Sequence, residues 1–201
     1  MFYWILTFVG IITELAKKLT RAIGMIYNIR HNCTQQVLLS LYFSLFHSHL
    51  SYGLSLWGTN NVEYLSKLTT LQKKIIRSIT ISDFNAHTTP LFKRLKILKL
   101  NDLYNHKILS LMWDFYHNAL PSSLSTLFTW REEIHNLNLR DKINNKLYTA
   151  HRFHNRHGYD SFTHYGATLL NKVKELPCYQ DCPSKAVFQY KYKSYILDAY
   201  L

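Results

Sequence analysis

Apolar residues recur with helical spacing along most of the chain. Leu15, Leu19, Ile23 and Ile26 fall at i, i+4, i+8 and i+11 with Lys17, Lys18 and Arg21 between them, which predicts an amphipathic helix from Glu14 to Arg30. The apolar run before it, Met1 to Thr13, reads as a buried strand or a first helical turn. Gly24 costs this helix up to about 1 kcal/mol relative to Ala, so another helix is expected to approach closely there. After a break at His31-Asn32-Cys33, the Thr34 hydroxyl is placed to cap a second helix, apolar on nearly every side from Val37 to Leu50. Its Ser40, Ser44 and Ser48 form a narrow stripe of small residues against which a neighbour is expected to pack. Breaks follow at Tyr52-Gly53 and Trp57-Gly58.

Asn61 is placed to cap a third helix running to about Ile79. At about 100° per residue, Leu65, Leu68, Leu71, Ile75, Ile76 and Ile79 share one arc, and Lys67, Lys73, Lys74 and Arg77 share the opposite one. One face is dry and the other cationic, with Glu63 as the sole carboxylate, at the helix start. A polar loop, Ser82 to Thr89, then leads to Pro90 as the first residue of a short helix. Here Lys93, Arg94, Lys96 and Lys99 interleave with Leu91, Phe92, Leu95, Ile97, Leu98 and Leu100, so aliphatic groups anchor the segment while the cations stay wet. Asn101 or Asp102 is expected to cap a fourth helix that stops at Leu120-Pro121.

Beyond Pro121 the periodicity weakens, and residues 121–177 read as a connecting region of short helical or extended pieces. Ser184 is placed to cap a last helix with Val187, Phe188, Tyr195, Ile196 and Ala199 on its dry side and Lys191 and Lys193 off it; the alternation Phe188, Tyr190, Tyr192 is the competing strand pattern. The expected fold is therefore mainly α: an apolar segment 1–13, a helical bundle over 14–120, an irregular connecting region 121–177 and a C-terminal helix within 178–201.

Composition narrows the partners. The 201 residues carry 24 Lys+Arg against 12 Asp+Glu, a formal charge of +12, which suits a polyanion. A hydrophobic share of 47% and an aromatic share of 15% exclude a disordered tail. Three cysteines, Cys33, Cys178 and Cys182, are too few and too uneven for a secreted disulfide scaffold, so an intracellular location, cytoplasmic or nuclear, is expected. The apolar start has no positively charged n-region and falls short of the roughly 20 residues of a bilayer span, so no membrane role is expected of it.

Catalytic signatures are missing. The chain has no phosphate-binding Gly-rich loop, no G-x-S-x-G elbow and no adjacent aspartates for two-metal phosphoryl transfer. The Glu132-Glu133 pair beside Arg131 suits a helix start, where the dipole favours carboxylates. His151, His154, His157 and His164 precede Cys178-x3-Cys182, but their order and separation match no common zinc site, and neither a metal nor a cofactor is expected in this chain.

Several segments in order resemble a known family. They are Leu50-Ser51-Tyr52-Gly53 through Trp57-Gly58, Leu71-Gln72-Lys73-Lys74 with Ile76-Arg77, His87-Thr88 to Leu100 (HTTPLFKRLKILKL), His117-Asn118 with Leu120-Pro121, Ile134-His135-Asn136 with Arg140, Tyr165-Gly166 with Asn171, Leu176-Pro177 and the Tyr-Lys-rich last helix. From Glu14 to Leu201 the chain is similar to the part downstream of the polymerase palm in LINE-type, non-LTR retrotransposon reverse transcriptases, most like the jockey or chicken-repeat type. Leu139, where that family usually has Thr, and Leu170, where a Trp often precedes the Asn, depart from its pattern.

The resemblance implies a helical thumb and the connecting region after it, holding RNA or RNA–DNA duplex. It also implies an RNA-directed DNA polymerase whose fingers, palm and catalytic aspartates would lie upstream of Met1, so no catalytic residue is carried over. The residues expected to track the nucleic-acid backbone are Lys67, Lys73, Lys74, Arg77, Lys93, Arg94, Lys96 and Lys99. The rival expectation is a helical module whose basic face meets a protein or anionic lipid instead.

Overall fold

The computed structural model describes residues 2–58, 62–130, 147, 161–174 and 182–200, and they are mainly α-helical, with an isolated antiparallel bridge between Trp130 and Leu147. The chain divides into two compact units, Met1–Tyr104 with Ile196–Leu201, and Asn105–Tyr195. Among the described residues no helix is long and apolar enough to cross a membrane.

In the first unit, α1 (Phe2–Ile29) is continuous, so of the two readings of the apolar N-terminal run the helical start holds and the strand does not. It buries Ile12, Ala16, Leu19, Ala22 and Ile26 along one stripe and packs against α5 (Val62–Thr80). Gly24 is exposed, and a Cβ there would meet nothing within 4 Å. The expected close helix approach is therefore absent among the described residues, because Gly24 lies off the stripe that ends at Ile26. Without that contact only the conformational cost of glycine remains. Gly24→Ala is expected to stabilise the chain by about 0.5–1 kcal/mol, read as a higher urea midpoint at unchanged slope.

The second helical stretch begins as predicted, with the Thr34 hydroxyl accepting from Val37 N at 3.5 Å. It runs through α2 (Gln35–Leu41), a π-helical segment (Tyr42–His47) and α3 (Ser48–Ser51). Leu38, Tyr42, Phe46 and Leu50 are all at most 1% exposed and strictly four residues apart. An α-helix would swing such a stripe by ~40° at each step. The wider turn of the π segment, in which Ser48 N donates to Phe43 O, takes up that drift and keeps the four side chains inward.

The serine stripe is on the wet side. Ser40 and Ser44 donate back to Gln36 O (3.1 Å) and Leu41 O (3.2 Å), and Ser48 donates to Ser44 O, so no neighbour packs there among the described residues. Gly53, at φ 61°, ends the stretch in the left-handed region and leads to α4 (Leu54–Trp57).

Five of the six residues of the expected dry arc of α5, Leu68, Leu71, Ile75, Ile76 and Ile79, are buried and Leu65 is half-buried, while Asn61 lies outside the described residues. α6 (Thr88–Leu95) starts earlier than predicted, at Thr88, leaving Pro90 in its third position, where its missing N–H is still one of the free first-turn donors. α7 (Leu100–Tyr116) also starts earlier, and neither Asn101 nor Asp102 precedes it as a cap. Its first amide, Leu100 N, is satisfied by a distant side chain, Gln72 Oε1, at 2.9 Å.

In the second unit, α7 buries Ile108, Leu109, Met112, Trp113 and Phe115. α8 (Ser122–Ser125) follows, and in the loop after it Phe128 sits 4.8 Å from Phe115 between ring centroids. A regular helix, α9 (Phe162–Val173), replaces part of the irregular region the sequence predicts. Its buried residues, Gly166, Ala167, Leu170 and Val173, follow helical spacing, but two of them are too small to register as a hydrophobic stripe.

α10 (Lys185–Asp198) is helical rather than a strand, and Val187 N reaches the predicted cap Ser184 Oγ at 3.4 Å. Its dry side is corrected. Phe188 and Tyr192 are buried and Tyr195 is 44% exposed, because Phe188 stacks on Trp113 at 4.8 Å and selects the face four residues on. Residues 131–146, 148–160 and 175–181 lie outside the described residues, and with them Glu132, Glu133, His151, His154, His157 and Cys178.

Candidate nucleic-acid interface

α5 sets one wall of the site. Lys67, Lys73 and Lys74 are exposed opposite its buried arc, and Arg77 is half-buried. Arg77 Nε donates to Ala86 O at 3.0 Å, which ties the loop after α5 back onto the helix and leaves the other guanidinium hydrogens for further partners. Ile81 sits in the left-handed region at φ 52°, while Ser82 N closes the helix end on Arg77 O at 3.0 Å.

The second wall is made by α6 and the start of α7. Phe92, Ile97, Leu98 and Leu100 are buried while Lys93, Arg94 and Lys96 are exposed, as the interleaved pattern predicts. Lys96 takes the left-handed C-cap of α6 at φ 54°. Lys99 departs from the pattern: it is half-buried, with Nζ 4.4 Å from the centroid of the Tyr200 ring. Lys99 N donates to Tyr200 Oη at 2.9 Å, and that hydroxyl donates to Asp102. Lys93 Nζ donates to Asp198 O at 3.3 Å, so the last residues of the chain fasten this corner.

What joins the walls is Gln72. It is wholly buried, with Nε2 donating to Leu98 O and Oε1 accepting from Leu100 N, both at 2.9 Å. These two bonds bracket Lys99 and hold it opposite α5. Beside Gln72, outside hydrogen-bonding geometry, lies the buried Tyr42 phenol, which burial pushes up to about 12.

The result is a cleft of about 400 Å³ lined by Lys73 and Arg77 from α5, by Lys99, by Thr88 and Thr89 at the start of α6, and by one carboxylate, Asp102. No side chain caps α6, so the positive end of its dipole adds to the three cations. Among the described residues the ion pairs are Glu14 with Lys17 and Asp114 with Lys185, and neither involves the eight predicted cations, three of which share the first cleft with Asp102. Lys74 and Arg77 line a second cleft, of about 430 Å³, with Arg30. Lys67, Lys93, Arg94 and Lys96 line neither cleft.

No family model, curated protein or solved structure matches this chain. Function therefore rests on the sequence and on the geometry above. Gln72 and Tyr200 were not among the expected site residues. Gln72 had a signal, since four residues either side are Leu68 and Ile76, which places it in the middle of the dry arc. Tyr200 had none, because its contacts are some hundred residues away in sequence. Of the zinc candidates, His164 lies in the first turn of α9 and Cys182 is half-buried; among the described residues no group of three or more His, Cys, Asp or Glu is placed to hold a metal.

Proposed function

We propose that this chain is the thumb and connecting region of a LINE-type, non-LTR retrotransposon reverse transcriptase, and that it grips template–primer duplex for the palm and fingers of that polymerase. The observation that carries this reading is the convergence of Lys73 and Arg77 from α5 and Lys99 from the residues before α7 on one cleft, three cations against one carboxylate, Asp102, which accepts from Tyr200. Cations held on a rigid helical body at fixed spacing suit a sugar-phosphate backbone, which carries regularly placed negative charge and no sequence information. The ordered motif resemblance adds to this, because several of its residues occupy structurally demanding places. Gln72 clamps α7, Gly58 lies against Tyr104, and Asn171 brackets Leu147 by accepting from its N and donating to its O, both at 3.0 Å.

The test is the salt dependence of binding to an RNA–DNA duplex. Lys67, Lys73 and Lys74 are exposed, so changing all three to Gln leaves the fold intact. Each lost phosphate contact removes about 0.9 from the slope of log K against log salt, so the triple variant is expected to flatten the slope by about 2–3. An unchanged slope, or flotation with anionic vesicles without duplex binding, overturns the duplex grip.

A further inference from the structure

We propose that the second cleft, formed by α1, the C-terminal half of α5 and the loop after it, is a subsite for an unpaired base of a single strand and its flanking phosphates. This rests on the nucleic-acid reading above and extends it from duplex backbone to unpaired nucleotides. The cleft measures about 430 Å³, within the ~300–1,000 Å³ range of small-ligand sites. Its walls combine the two chemistries a nucleotide requires.

The first is aromatic. Phe84 stands on the loop after α5, 76% exposed, with a ring that makes no aromatic contact among the described residues. Tyr27 lines the same cleft, is 51% exposed, and carries the Arg30 guanidinium 3.8 Å from its ring centroid. A free aromatic face and a guanidinium plane are the surfaces on which unstacked bases settle.

The second is charge. Arg30, Lys74 and Arg77 give the cleft three cations against one carboxylate, Asp83. The excess favours a strand bearing phosphates over an apolar peptide. Asp83 is an acceptor of the kind that exocyclic amino groups of bases seek, and it disfavours a bare polyphosphate. Arg77 lines this cleft and the Lys73–Lys99 cleft alike, so a strand leaving the duplex at one could pass its first unpaired base to the other.

The experiment uses the full chain and two probes, a blunt RNA–DNA duplex and the same duplex with a short single-stranded template overhang carrying 2-aminopurine. The overhang is expected to tighten binding about tenfold and to quench the 2-aminopurine on stacking. Phe84→Ala is expected to lose both effects while binding the blunt duplex as the parent does, and Phe84→Trp to restore them. Because Phe84 is solvent-exposed, neither change threatens folding.

Overhang binding and quenching that are unaltered in Phe84→Ala overturn the subsite and leave the duplex grip standing. Binding of the overhang through Phe84 with no affinity for the blunt duplex supports the subsite and overturns the grip. A free mononucleotide that competes as well as the overhang overturns the single-strand assignment, and a chain that binds neither probe overturns both readings.

Discussion

Gln72→Met is expected to destabilise the first unit by about 2–4 kcal/mol and to speed hydrogen exchange at the Leu100 amide. Methionine nearly matches glutamine in length and volume, so the change opens no cavity and isolates the hydrogen bonds. What it leaves is a buried Leu98 carbonyl and a buried Leu100 amide, each without the partner that Gln72 supplies at 2.9 Å. A buried polar group stranded in this way costs ~1–3 kcal/mol, more than the ~1 kcal/mol that making one hydrogen bond contributes. Gln72→Glu is expected to be worse still, since it keeps the acceptor for Leu100 N, loses the donor to Leu98 O and buries a charge. The urea midpoint and exchange at Leu100 measure the effect; a Gln72→Met protein as stable as the parent would show that the 98–100 segment is held by packing alone.

The same residue explains how much of the site the sequence could disclose. Lys73 and Arg77 are four apart on a strongly patterned helix, so their shared face is legible from spacing. The Thr34 and Ser184 caps were legible too, because a cap is a local bond between a side chain and an amide two or three residues on. The start of α7 was not, because its amide is satisfied by Gln72, twenty-eight residues away, and no local cap is needed. Lys99 is placed beside Lys73 and Arg77 by the Gln72 bonds to Leu98 and Leu100 and by Tyr200, all distant in sequence, so the cleft is a tertiary fact that periodicity does not encode. The choice between Tyr192 and Tyr195 as the dry tyrosine is similar: either suits a half-buried helix face, and the stack of Phe188 on Trp113 decides it. Phe84 was hidden differently, as one aromatic in a polar loop whose partners come from α1 and α5.

Gly58→Ala is expected to destabilise the first unit by about 3 kcal/mol, at the upper end of what overpacking a core commonly costs. The backbone is not the reason, since Gly58 sits at φ −67° and ψ −13°, a right-handed conformation open to any residue. Space is the reason. A Cβ there would lie 2.2 Å from Tyr104 Cδ2, 2.7 Å from Tyr104 Cε2 and 2.6 Å from the Leu54 carbonyl oxygen. That carbonyl cannot retreat without losing its 2.8 Å bond from Gly58 N, and Tyr104 is buried on α7. Gly166→Ala is the graded control: its nearest neighbour is Met112 Sδ at 2.9 Å, in a flexible thioether side chain able to re-pack, so a smaller loss is expected. Unfolding midpoints should therefore run Gly24→Ala above the parent, Gly166→Ala below it and Gly58→Ala lowest. A Gly58→Ala protein that melts with the parent would mean that the Tyr104 ring does not close over this turn.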